Sequence, residues 1–170
     1  MKPAHARMGI SFALAVLSWT RPSLSADINQ PVSRKAPPAF TLSDARGTPI
    51  SLSNYKGKVV LLDVWATWCT GCKVEIPWYI EFHKKYRRQG LEALGVAMDE
   101  EGWSKVTPYL KEHPIPYTIV MGDENFAKRY SVTAMPVTML IDRHGRTAAT
   151  YVGLVNKVGF EKDLQRLLRE

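Results

Sequence analysis

The chain has 170 residues, 45% of them hydrophobic and 23% charged, with a formal net charge of +7. That is one globular domain, long enough to bury a core and without material for a second. Part of the charge lies in residues 1–26, where Lys2, Arg7 and Arg21 face no acid, so the remainder is only mildly basic and carries no consecutive basic block of the kind that marks a nucleic-acid footprint. Lys2 and Arg7 open the chain. Met8 to Trp19 is an apolar stretch too short for comfortable spanning of a bilayer, which takes ~20 apolar residues. Small residues follow, and Leu24-Ser25-Ala26 is the expected cleavage site, with Ser25 as an alternative end. Residues 1–26 therefore read as an export signal, with an uncleaved membrane anchor as the alternative. Either way the folded part is expected outside the cytoplasm, in an oxidising bacterial periplasm.

Residues 27–38 are polar and rich in proline (Pro31, Pro37, Pro38) and read as an extended linker to a domain over 39–170. Phe40-Thr41-Leu42 and Ile50-Ser51-Leu52 flank the turn residues Asp44-Ala45-Arg46-Gly47, which predicts a short hairpin. Val59–Trp65 is a buried strand. A helix is expected from about Cys69 to Arg88, kinked at Pro77 and ended by Gly90. The run Lys84-Lys85-Tyr86-Arg87-Arg88 at its end reads as a solvated helix face. A second buried strand covers Leu91–Met98, and a helix covers Ser104–His113 with Pro108 inside it. A short strand follows at Tyr117–Val120 and a short helix at Glu124–Tyr130. A long strand spans Met135–Ile141, its hairpin partner Thr147–Val152, and a closing helix Asn156–Arg169. Strands alternating with helices predict a mixed α/β sheet covered on both faces.

The chain holds two cysteines, three positions apart in Trp68-Cys69-Thr70-Gly71-Cys72-Lys73, at a strand-to-helix junction. Such a dithiol is a redox site more often than a staple. Cys69 is expected exposed at the helix N-terminus, where free N–H groups and the helix dipole favour a thiolate, and so is the candidate nucleophile. Cys72, one turn further in, is the candidate resolving thiol. A structural disulfide or half of a zinc site is the alternative; zinc would need two further ligands, and His5, His83, His113 and His144 are scattered. Asp63 lies mid-strand in an otherwise apolar run. It is a candidate proton acceptor for Cys72, or else a surface-facing or hydrogen-bonded core aspartate. Glu75, one turn beyond Cys72, could shift the thiol pKa values or move protons, or simply face solvent in the first turn.

The stretch Asp63-Val64-Trp65-Ala66-Thr67-Trp68-Cys69-Thr70-Gly71-Cys72-Lys73-Val74-Glu75-Ile76-Pro77 resembles the active-site region of thioredoxin-like proteins, and most closely their exported TlpA, ResA and CcmG branch. Phe40-Thr41-Leu42, Lys56-Gly57-Lys58-Val59-Val60 and Met135-Pro136-Val137-Thr138-Met139-Leu140-Ile141-Asp142 fit the same branch, so the likeness covers residues 36–170. It implies a thioredoxin fold with an N-terminal hairpin and a central βα insertion at about Trp103–Val120. It implies a cis proline at Pro136 facing the dithiol, and Trp68, Met135 and Pro136 as substrate-binding positions. It aligns Asp63 with the buried acid of thioredoxin and Glu75 with the acid of cytochrome c maturation reductases. The implied activity is thiol:disulfide oxidoreduction with no cofactor beyond the cysteine pair. The implied partners are apocytochrome c or copper-assembly proteins and a membrane thiol donor, with no nucleic acid, and a monomer is expected. Thr70-Gly71 departs from the proline-containing dipeptide of many relatives. Met135 departs from the smaller residue usual before the proline; its thioether could add a Cu(I) ligand or simply pack. A Cu(I) chaperone, a thiol peroxidase of the peroxiredoxin type and a disulfide-forming oxidase remain competing readings.

Overall fold

A computed structural model describes residues 33–170. The expected export signal, its cleavage site and the first part of the linker lie outside the described residues.

Five strands form the main sheet in the order β5-β4-β3-β6-β7, and a two-stranded sheet stands apart. β3 (Val59–Trp65) is its centre, parallel to β4 (Leu91–Ala97) and antiparallel to β6 (Val137–Ile141). All seven β3 residues are buried, as a strand flanked on both edges and covered on both faces must be. β5 (Thr118–Met121) extends the sheet beyond β4 in parallel, and β7 (Thr147–Val152) closes the other side against β6. The period of two along a strand divides the core. Val59, Leu61 and Trp65 pack toward helices α1 (Thr70–Tyr86), α2 (Trp103–Glu112) and α4 (Lys157–Leu168). Val60, Leu62 and Val64 pack toward Phe40, Leu42, Phe126 and Tyr130, from the hairpin β1 (Leu42–Ser43) and β2 (Pro49–Ile50) and from α3 (Glu124–Arg129). The mixed sheet, the hairpin and the α2–β5 insertion are those expected.

Three local outcomes differ from expectation. The hairpin pairs Leu42 with Ile50 and Ser43 with Pro49 only, because Leu52 has already entered a short 3-10 turn. α1 ends at Tyr86, short of the expected Arg88, because Arg87–Gln89 tightens into a 3-10 turn before Gly90; Pro77 lies inside the helix, whose burial of Ile76, Tyr79, Phe82 and Tyr86 against the sheet holds it through the lost hydrogen bond. Residues read as the end of a linker lie against the domain: Lys35 C=O accepts from Thr147 N–H, Tyr130 OH donates to Pro38 C=O, and Arg34 is buried.

β3, β4 and the N-termini of α1 and α2 meet at one pole. The β6–β7 turn, the C-termini of α1 and α4 and the start of β3 meet at the other.

Candidate active site

Cys69 is the N-cap of α1 and Cys72 lies in its first turn; they are joined in a disulfide with Cα atoms 5.3 Å apart. Cys72 N–H donates to Cys69 Sγ at 3.1 Å, the place a serine or aspartate oxygen takes at an ordinary N-cap. When the bond is reduced the same N–H and the helix dipole favour a Cys69 thiolate. Cys69 keeps 4% of its surface in this oxidised form and Cys72 none. The order is that expected, but the first cysteine is far less exposed than its position alone promised. The exposed group is its neighbour Trp68, 62% accessible. Thr67 fixes the loop before the cysteines: its N–H and its hydroxyl both donate to the buried Asp99 carboxylate at the end of β4. Asp99 was not singled out from the sequence, since its partner lies 32 residues away.

Pro136 follows a cis peptide bond from Met135. It stands over the disulfide loop: a Cβ on Gly71 would come within 2.9 Å of Pro136 Cδ. Gly71 thus permits a close approach, in addition to the tight loop expected of it. Met135 packs half-buried against the cluster that contains Cys69. Pro136 C=O accepts from Gly153 N–H at 2.8 Å, which ties the β7–α4 loop to this wall. Leu154 on that loop is exposed. Sequence reading missed this loop; its signal was an apolar pair, Leu154-Val155, set between Gly153 and Asn156.

Both acids are fully buried. Glu75 Oε1 accepts from Val155 N–H at 2.6 Å, and Oε2 has no partner among the described residues. Burial raises its pKa, and the Val155 N–H opposes the rise. The solvent-facing alternative for Glu75 does not hold. Asp63 points to the α1 face, between Leu61 and Trp65, and neither of its oxygens has a hydrogen bond to a described group. Burial pushes its pKa well up, the Glu75 charge adds to this, and the Tyr117 hydroxyl pulls the other way. Trp65 Nε1 and Tyr117 OH are also without partners among the described residues, and both rings flank Gly95, the β4 residue paired with Asp63. A Cβ at Gly95 would meet Trp65 Nε1 at 3.0 Å and Tyr117 Cε2 at 3.4 Å. The geometry thus places two protonatable carboxyls and a phenol on the helix side of the strand that feeds the dithiol. Tyr117, at the start of the insertion's strand, was read only as a strand residue. No group of three or more His, Cys, Asp or Glu side chains among the described residues is arranged to hold a metal.

The family model described as AhpC/TSA matches residues 32–150. The chain belongs to this family. Within the family it is similar to thiol-disulfide oxidoreductase ResA of Geobacillus kaustophilus (33% identical over 131 residues, 76% of this chain and 75% of that one) and of Bacillus subtilis (32% over 121 residues, 71% and 67%). A solved thiol:disulfide interchange protein of the thioredoxin family from Chlorobium tepidum TLS superposes with a TM-score of 0.70 at 26% identity, over 79% of this chain and 97% of that one. The family member described here is a thiol-disulfide oxidoreductase with a thioredoxin-like fold, and its redox group is the Cys69–Cys72 pair.

Proposed function

We propose that the enzyme is exported to the periplasm and reduces protein disulfides there, with apocytochrome c or copper-assembly proteins as substrates and a membrane thiol carrier as donor. The observation that carries the reading is the asymmetry of the pair: Cys69 caps α1 under an N–H donor beside exposed Trp68, while Cys72 is fully buried. In the proposed sequence, the Cys69 thiolate attacks one sulfur of the substrate disulfide. That bond breaks, a mixed disulfide forms, and the other substrate sulfur leaves as a thiolate. Cys72 loses its proton to Asp63 or Glu75 and attacks Cys69 Sγ, which releases the second substrate thiolate and leaves the enzyme disulfide. A donor dithiol returns two electrons to the pair. Trp68, Met135 and Pro136 form the platform on which the substrate chain lies, and Leu154 widens its apolar rim.

A peroxidase reading requires a peroxidatic cysteine kept apart from its resolver, whereas both cysteines of this chain belong to one pair. The test is the variant Cys72→Ser. It is expected to accumulate mixed disulfides through Cys69 with exported haem- or copper-site proteins, while the wild type reduces insulin. A wild-type potential near the −270 mV of thioredoxin supports reduction, and one near the −120 mV of DsbA overturns it. Absence of Cys69 adducts would remove the substrate assignment.

A further inference from the structure

At the pole opposite the disulfide, three chain segments are tied together by one side chain. The Arg143 guanidinium donates to the carbonyls of Gly57, Gln89 and Leu168, and Gly57 N–H donates to Arg143 C=O. Within two residues of those carbonyls lie Lys56 and Lys58, Arg87 and Arg88, and Arg169, all exposed. None of these five has an ion-pair partner among the described residues. Of the acids at this pole, Asp142 is engaged by Arg34 and Arg146, Glu170 by Arg34, and Glu92 lies beside His83. A run that in sequence looked like the solvated end of one helix is in space part of a basic cap drawn from three segments.

The chain also enters at this pole. Arg34, held by Asp142 and Glu170, fixes where residues 1–32 attach, and those residues carry the apolar stretch Met8–Trp19 with Lys2, Arg7 and Arg21. We propose that this basic cap docks on an anionic phospholipid surface, with the disulfide pole turned away from it. Unpaired Lys and Arg near such a surface each strengthen binding about fivefold, and salt screens the attraction within a Debye length. The proposal goes beyond the redox reading and stands or falls without it.

Flotation of the full chain with phosphatidylcholine vesicles, with and without phosphatidylglycerol, tests it. Comparing the two compositions separates charge from any apolar insertion of the N-terminal segment. The wild type is expected to prefer the anionic vesicles and to lose that preference at high salt. The variant Lys56→Gln/Lys58→Gln/Arg87→Gln/Arg88→Gln should lose the preference by about fivefold per charge removed, with insulin reduction intact. If that variant fails to reduce insulin, the milder Arg88→Gln/Arg169→Gln is expected to lose it in proportion. Equal binding of the wild type to both vesicles overturns the proposal. So does a preference that survives in the folded variants, which would place the charge in residues 1–32. Binding to polyglutamate as tight as to the anionic vesicles would overturn it in favour of an acidic protein partner.

Discussion

Asp63 sits on β3 with both carboxylate oxygens lacking a hydrogen bond among the described residues, and the Trp65 and Tyr117 rings flank Gly95, its partner on β4. The pKa of a carboxylate in that setting is raised chiefly by desolvation, with Glu75 adding repulsion to the ionised form. The consequence for stability has a definite sign. Below the ordinary aspartate range Asp63 is protonated in both folded and unfolded chains. Above it the unfolded chain ionises first, so folding is opposed increasingly as pH rises toward the raised folded pKa. Asp63→Asn removes that opposition. The variant is expected to be more stable than the oxidised wild type at neutral pH by on the order of a few kcal/mol, with the difference gone near pH 3. Urea unfolding across this range checks it; a difference that grew toward acid would contradict the raised pKa of Asp63. The same variant should slow insulin reduction by about a hundredfold, the low end for a lost general base, because Glu75 remains as a second acceptor. Tyr117→Phe is expected to raise the Asp63 pKa further and shift the pH profile of turnover upward, since it deletes the one hydroxyl opposing the rise.

At the scale of elements, strand and helix positions were legible because each obeys one local period. β3 and β7 begin and end where their apolar and turn residues say, and α1 starts at the cysteine its N-cap geometry requires. What was not legible is the contact between elements. Nothing in the spacing of Asp63 and Tyr117 reveals that β5 delivers a phenol to β3 across Gly95, nor that Val155 N–H, 80 residues away, holds Glu75. Gly95 was read as one more residue of a buried strand, yet it is where three side chains converge. A Cβ there would meet Ile119 Cδ1 at 2.5 Å as well as the Trp65 and Tyr117 rings. The isoleucine end can rotate; the indole, wedged in the core, cannot. Gly95→Ala is therefore expected to cost about 1–3 kcal/mol in urea unfolding, as overpacking does. It is also expected to shift the pH dependence of turnover by crowding Asp63. Loss of stability with an unchanged pH profile would separate the packing role of Gly95 from any part in placing the acid.

For the whole molecule, the boundary of the folded unit lies further toward the N-terminus than composition indicated, and the reason is long-range charge. Proline and polar residues gave 27–38 the look of a linker, but Arg34 finds Asp142 and Glu170, 108 and 136 residues on. Its guanidinium makes two bonds to Glu170, at 2.6 and 3.0 Å, and one to Asp142 at 3.4 Å. One side chain thereby fastens the entry of the domain to the β6–β7 turn and to the last residue. The Arg34 side chain is buried and Glu170 is partly open to solvent, so the clip falls between an exposed pair worth about 0–1 kcal/mol and a buried pair whose breakage costs about 3–5 kcal/mol. Asp142 keeps Arg146 when Arg34 is lost, which favours the lower half of that range. Arg34→Met is expected to destabilise the chain by about 2 kcal/mol at neutral pH. Both acids have pKa values held below the ordinary range, Glu170 by the Arg34 hydrogen bond and Asp142, despite burial, by Arg146 and Arg34. Their contribution is full above the unfolded carboxylate range and disappears as pH falls through the folded values. The difference between wild type and variant should therefore close in acid, as it does for Asp63→Asn, but with the opposite sign at neutral pH. Urea unfolding of both variants on one pH series separates the two: Arg34→Met below the wild type, Asp63→Asn above it, and the three curves converging as the carboxylates protonate.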